Sequence, residues 1–201
     1  MHSDQKQQMD VMLSSETNEW YTPPYIIEAV REVLGRIDVD PCSDPIGLCN
    51  TWIKATTTFD ITNDGLSNPW YGNVFVNPPY GKVLWNGSRW VYPEEPAPGE
   101  KKKHGHRSSQ ELWYTYFHNE YDEGRTKAGI FLARAVVGER WFRNAWEGST
   151  AVALLKDLVR FINFKGVYVG KAKVGTALFY LGPRPVKFQN VFEELAWVYR
   201  N

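Results

Sequence analysis

Segments of helical and of strand-like hydrophobic spacing alternate along most of this chain, and that alternation restricts it to a layered α/β architecture. After Thr22-Pro23-Pro24 the apolar residues Ile26, Ile27, Val30, Val33 and Leu34 recur at helical spacing. Thr22 is placed to cap this helix, the prolines suit its first turn, and Gly35 suits its end. Arg36 to Val39 reads as a short strand stopped by Asp40-Pro41, because proline cannot continue a central ladder. Pro41 to Trp52 is turn-rich, and Asn63-Asp64-Gly65 marks a second turn. Asn73 to Val76 is then a buried strand that runs directly into Asn77-Pro78-Pro79-Tyr80.

Between Asn86 and Arg107 the chain changes character, with Pro93, Pro96, Pro98 and Gly99 followed by Lys101-Lys102-Lys103-His104-Gly105-His106-Arg107. This predicts a surface insertion spanning about 86–125, although Ser108 and Ser109 can open a helix from Gln110 to about Glu123. Further on, Ala128 to Ala133 predicts a strand, Gly138 to Trp146 a helix and Ala151 to Leu155 another strand. Val159 to Phe164 and Thr176 to Leu181 read as a terminal antiparallel pair, joined by a loop rich in glycine and lysine that contains Lys171 and Lys173. The expected class is a mostly parallel sheet with helices on both faces and a C-terminal antiparallel strand pair. At 201 residues the chain has room for one domain, taken as 19–201, after a flexible tail at 1–18.

Lysine plus arginine equals aspartate plus glutamate at 23 each, so no global positive field points to a nucleic acid, and such a surface must arise from local clustering. No apolar run reaches the roughly 18 residues that a membrane span needs, and the N-terminus lacks a signal-peptide core. A cytoplasmic protein without a membrane partner is expected. Cys42 and Cys49 are too few for a disulfide framework and lack paired metal-ligand spacing, so no metal site is expected.

In an open α/β sheet, ligands sit beyond the carboxyl ends of the strands. Asp40-Pro41 and Asn77-Pro78-Pro79-Tyr80 each follow a short strand, so parallel neighbours would bring both into one crevice. The second motif can act on an amino group conjugated to an aromatic ring, whose lone pair is delocalised and poorly nucleophilic. The Asn77 side-chain oxygen and the Pro78 carbonyl can each accept one N–H, while Pro78 and Pro79 hold the backbone rigid. Tyr80 then offers a ring against which a base taken out of its stack can lie.

At these residues the sequence resembles the phage-type, Dam-like DNA N6-adenine methyltransferases, over roughly Glu19 to Gly182. Glu19-Trp20-Tyr21-Thr22-Pro23 resembles the opening motif of that family, and Asp38-Val39-Asp40-Pro41-Cys42 its cofactor motif. Asp64-Gly65-Leu66 and Trp70 resemble the segment leading into Asn77-Pro78-Pro79-Tyr80. Arg160-Phe161-Ile162-Asn163-Phe164 and Gly175-Thr176-Ala177-Leu178 resemble its last two strands.

The resemblance implies a Rossmann-like fold, S-adenosylmethionine as cofactor, DNA as partner, and methyl transfer to adenine N6. It implies catalytic roles for Asn77, Pro78, Pro79 and Tyr80, and cofactor contacts from Tyr21, Thr22, Pro23, Asp40, Pro41, Cys42 and Asp64. Two features depart from the family. Asp40-Pro41-Cys42-Ser43-Asp44-Pro45 stands where a glycine-rich loop is usual, so cofactor contacts should lean on side chains and helix ends. The insertion is also longer than expected. Lys101, Lys102, Lys103 and Arg107, with Lys171 and Lys173, are the candidate DNA contacts. Methylation of RNA or of a protein glutamine, and a catalytically silent DNA-binding module, are the competing readings.

Overall fold

The computed structural model describes residues 20–91 and 107–201. The expected tail at 1–18, and Lys101, Lys102, Lys103, His104 and His106, lie outside the described residues.

Helix α1 (Pro24–Leu34) forms where the apolar spacing predicts and buries Ile26, Ile27, Ala29, Val30, Val33 and Leu34. Its cap differs from expectation. Pro23, at φ −66° and ψ 151°, is itself the N-cap, which leaves Thr22 one residue too early to bond the first turn. Gly35, at φ 84°, closes the other end by donating its N–H to the Arg31 carbonyl.

The chain continues through β1 (Val39–Asp40), the short helix α2 (Asn50–Ile53), β2 (Thr57–Thr58) and β3 (Gly72–Val76). It then makes a small lobe from β4 (Lys82–Trp85), β5 (Trp90–Val91) and β6 (Arg107–Ser108). Helix α3 (Ser109–Asp122) leads back to the long central strand β7 (Thr126–Arg134), followed by α4 (Arg140–Gly148) and β8 (Ala151–Leu155). A hairpin of β9 (Arg160–Ile162) and β10 (Tyr168–Lys171) precedes β11 (Thr176–Leu181), α5 (Pro185–Phe192) and β12 (Ala196–Arg200).

The main sheet has seven strands in the order β12-β8-β11-β7-β3-β1-β2. Strands β2, β1, β3 and β7 pair in parallel, and β8 runs the same way, while β11 and β12 run against them. The period-two alternation of the strands divides the core between two helix layers. Phe75, Ile130, Leu132, Leu178 and Tyr180 pack with α1 and α5 on one face. Val74, Val76, Phe131, Ala133 and Phe179 pack on the other with α3 and α4, which supply Trp113, Phe117, Trp141 and Phe142. No described helix is long and apolar enough to cross a membrane.

The mostly parallel class and the antiparallel C-terminal strands agree with the sequence reading, but the partners do not. Thr176–Leu181 does not pair with 159–164; it inserts between β7 and β8, antiparallel to both. All six of its residues are buried, so it needs a ladder on each side, which an edge hairpin cannot supply. The 160–162 segment takes the local partner β10 instead. The first strand lies at Val39–Asp40 rather than 36–39, because Arg36 is exposed and extends to the Asp38 carboxylate. Within 86–125, Ser109–Asp122 is the crossover helix that buries Trp113, Tyr114 and Phe117 against the sheet.

Candidate active site

The carboxyl ends of β1, β2 and β3 face one cavity of about 530 Å³. The expected residues Tyr21, Thr22, Asp40, Pro41, Cys42, Asp64, Asn77 and Pro79 all line it. Proline termination does the positioning. Pro41 and Pro78 cannot extend their ladders, so each loop leaves the sheet at the same edge.

The wall nearest β1 is built on carboxylates. Asp40 is 1% exposed; its Oδ1 accepts the Cys42 N–H at 3.1 Å, and its Oδ2 has no hydrogen-bond partner among the described residues. Burial pushes the Asp40 carboxyl up to about 7, the Cys42 N–H opposes the rise, and the neighbouring Asp44 charge adds to it. Asp44 has a structural task. It accepts the backbone N–H groups of Ile46, Leu48 and Cys49 and so shapes the turn between β1 and α2. Burial, reinforced by Asp40, raises both Cys42 and Cys49 thiols, so neither is poised as a thiolate nucleophile.

The opposite wall is the turn before β3. Asp64, at φ 48°, accepts from the Leu66 N–H and the Ser67 hydroxyl, and so caps the single 3₁₀ turn Gly65–Ser67. The Trp70 indole donates to the Gly65 carbonyl at 2.8 Å and anchors the turn to the core. Gly65 is required there by proximity, since a Cβ would sit 2.1 Å from the Pro41 carbonyl oxygen. The two walls therefore touch at Pro41 and Gly65.

Asn77 lies at the junction of this cavity and the N-terminal segment. Its Nδ2 donates to the Trp20 carbonyl at 2.7 Å, and its Oδ1 faces the Tyr80 hydroxyl at 3.5 Å. The segment carrying Trp20 is tied to β9 by paired backbone bonds between Tyr21 and Ile162, and the Trp52 indole donates to the Thr22 carbonyl. Thr22 is 1% exposed, and its hydroxyl has no hydrogen-bond partner among the described residues. Beyond the motif, Ser109 at the start of α3 donates to the Pro79 and Gly81 carbonyls, which fixes the loop. Burial raises the Tyr80 hydroxyl above the usual phenol range.

Pro23, Pro78 and Tyr80 do not line the cavity. Pro23 caps α1, and half-buried Tyr80 meets the site through Asn77. Arg107 stands on β6 with its guanidinium 5.5 Å from the Trp90 ring centroid, while Lys171 and Lys173 are exposed at the hairpin end, away from the lining.

Sequence reasoning missed Asp60, Arg89 and Trp90, all of which line the cavity. Asp60 lies just past β2, whose β-branched Thr56-Thr57-Thr58 run was the available signal. Arg89 and Trp90 lie within the stretch read as an insertion. Among the described lining residues the ionisable side chains are four aspartates, Asp40, Asp44, Asp60 and Asp64, and one arginine, Arg89, so the described lining is rich in carboxyl groups. Among the described residues there is no cluster of three or more histidine, cysteine or acidic side chains able to hold a metal.

No protein-family model matches the chain, and no curated protein matches it. Among solved structures, the chain is similar to a Listeria monocytogenes protein described as a class I S-adenosylmethionine-dependent methyltransferase. The two share 13% identity and a TM-score of 0.41, with 88% of this chain and 65% of that one covered. The chain thus spans about 65% of the length of that relative.

Proposed function

We propose that this protein transfers a methyl group from S-adenosylmethionine to the N6 amino group of adenine in DNA. The observation that carries this reading is a neutral, oriented acceptor, Asn77 Oδ1, at the edge of an acid-lined cavity beyond the sheet. A volume of about 530 Å³ falls within the range of cofactor pockets.

The residues present fit this cofactor. It carries a sulfonium, an ammonium and one carboxylate and no phosphate, so a described lining richer in aspartate than in arginine favours it over a nucleotide polyphosphate. Asp40 Oδ2 and Thr22 Oγ1 are buried polar atoms without partners among the described residues, and a bound ligand would satisfy both. Asp60 follows the strand beside β1, a place suited to ribose hydroxyls. When bound, the cofactor supplies an electrophilic methyl group.

The chain itself supplies acceptors and orientation. Asn77 Oδ1 accepts one amino N–H of the base, and for the Pro78 carbonyl to accept the second the amino group must reach past the lining, since Pro78 does not line the cavity. As the amino nitrogen turns tetrahedral its N–H bonds become more acidic, so these contacts strengthen on approach to the transition state. The Asn77 amide is uncharged and committed to Trp20, so it holds the amino group without taking its proton, which leaves to solvent. A base within this cavity is outside its helical stack, which implies nucleotide flipping. The sequence resemblance at Asp38–Cys42 and Asn77–Tyr80 supports adenine in DNA as the acceptor.

The test is incubation with methyl-labelled cofactor and unmethylated DNA, RNA or protein, followed by mass spectrometry of the product. N6-methyladenine in DNA is the expected outcome. Label confined to RNA or protein would replace the substrate. DNA binding without cofactor binding in calorimetry would make the chain a catalytically silent DNA-binding module.

A further inference from the structure

The lobe formed by β4, β5 and β6 presents a continuous face whose inner end lines the cavity and whose outer end is exposed. Strand alternation and register define it. Val83 and Trp85 share one side of β4; Val83 pairs with Arg107 of β6, and Trp85 pairs with Trp90 of β5. Val83 and Trp90 line the cavity, whereas Trp85 is 53% exposed. The two indoles meet edge to face at 5.7 Å, and the Arg107 guanidinium lies 5.5 Å from the Trp90 ring centroid. An indole this exposed contributes little to the core, and its edge-to-face contact with Trp90 extends the aromatic lining of the cavity outward.

The charge of the lobe indicates which partner. Among its described residues the charged side chains are Lys82, Arg89 and Arg107, and none is acidic. The hairpin tip is ordered by Asn86, whose Oδ1 accepts the Ser88 and Arg89 backbone N–H groups, so Arg89 is carried at the mouth on a defined turn. An aromatic platform among cations matches a nucleobase with its phosphates, and this contrasts with the acidic interior.

We propose that Trp85 is a stacking platform for a nucleobase next to the one that enters the cavity, with Arg89 beside it for the adjoining phosphate. This rests on reading the cavity as the site of a DNA-modifying enzyme. Trp85 acts as a positioning residue: it holds the strand in register and does not touch the reacting atoms.

The test compares the full-length protein with Trp85→Ala and Trp85→Phe. Fluorescence anisotropy follows binding of a labelled duplex and of a labelled single strand containing unmethylated adenine, and calorimetry follows binding of S-adenosylhomocysteine. Loss of one base–aromatic stack should weaken DNA binding of Trp85→Ala by about tenfold or more. Trp85→Phe should stay within about threefold of the native protein, because it keeps a ring for stacking. Cofactor-product binding and thermal unfolding should be unchanged, since Trp85 is neither lining nor core. Native DNA affinity in Trp85→Ala would overturn the proposal. So would a native protein that binds the cofactor product and a protein substrate but no DNA. If Trp85→Ala loses DNA affinity while the native protein binds no cofactor product, the stacking surface stands and the methyltransferase reading falls.

Discussion

Trp20 and Asn77, 57 positions apart in the chain, are joined by one hydrogen bond of 2.7 Å from the Asn77 amide nitrogen to the Trp20 carbonyl oxygen. A carbonyl can only accept, so this contact settles which end of the amide is nitrogen. The oxygen is thereby left on the side of the Tyr80 hydroxyl, with a lone pair to offer a substrate amino group. The anchor is itself anchored, because Tyr21 is bridged to Ile162 of the β9–β10 hairpin. The orientation of the acceptor therefore depends on a strand far along the sequence.

Replacing Asn77 removes that acceptor while leaving the carboxylate wall intact. Asn77→Ala should lower methyl transfer by about 10²–10³-fold, the range for losing one preorganised polar contact to a transition state. Single-turnover kinetics beside calorimetric cofactor titration would measure this. Near-native transfer would refute the role.

Thr22→Val separates ligand binding from folding. The Thr22 hydroxyl is buried without a partner among the described residues, so replacing it with a methyl group of similar shape should leave the free protein as stable or slightly more stable. Cofactor affinity should fall by about fivefold or more, as the ligand loses a hydrogen bond. Thermal unfolding and calorimetry report the two effects, and a marked loss of stability with native affinity would assign the hydroxyl to the fold.

Asp40 should make stability depend on pH. Its carboxyl is raised to about 7 in the folded chain from an unfolded value near about 4. Between those values the folded state holds a proton that the unfolded state has lost. The stability linked to this group is thus fully present below the unfolded value and disappears as pH rises through about 7. The melting temperature should fall from pH 5 to pH 8, and Asp40→Asn should flatten that slope. A cationic ligand favours the ionised carboxyl, so cofactor affinity should rise over the same interval. Scanning calorimetry across that range gives the slope, and an equally steep profile in Asp40→Asn would place its source elsewhere.

Gly65→Ala should separate the two walls of the cavity. The added Cβ would sit 2.1 Å from the Pro41 carbonyl oxygen, a backbone atom that yields only by moving its loop. Overpacking of this kind costs about 1–3 kcal/mol. Urea unfolding should show that loss, together with weaker cofactor binding because Asp64 and Pro41 are forced apart. Unchanged unfolding would mean that the walls are not in tight contact.

The sequence by itself determined where some of the strands stop and which loops leave the sheet. Ala151–Leu155 and Thr176–Leu181 have the ends expected from their apolar runs, and Pro41 and Pro78 end their ladders as proline chemistry dictates. Local pattern carries such information because hydrophobic spacing, capping and proline sterics act within a few residues. Only the tertiary structure decided that Thr176–Leu181 enters the centre of the sheet and that the two-residue strand β2 brings Asp60 to the cavity. The same holds for the Trp20 carbonyl that orients Asn77 and for the two buried oxygens beside it that have no partner among the described residues. Each of these is a partnership across the chain, and pairing, burial and desolvation depend on which surface arrives opposite, a quantity that no local spacing encodes.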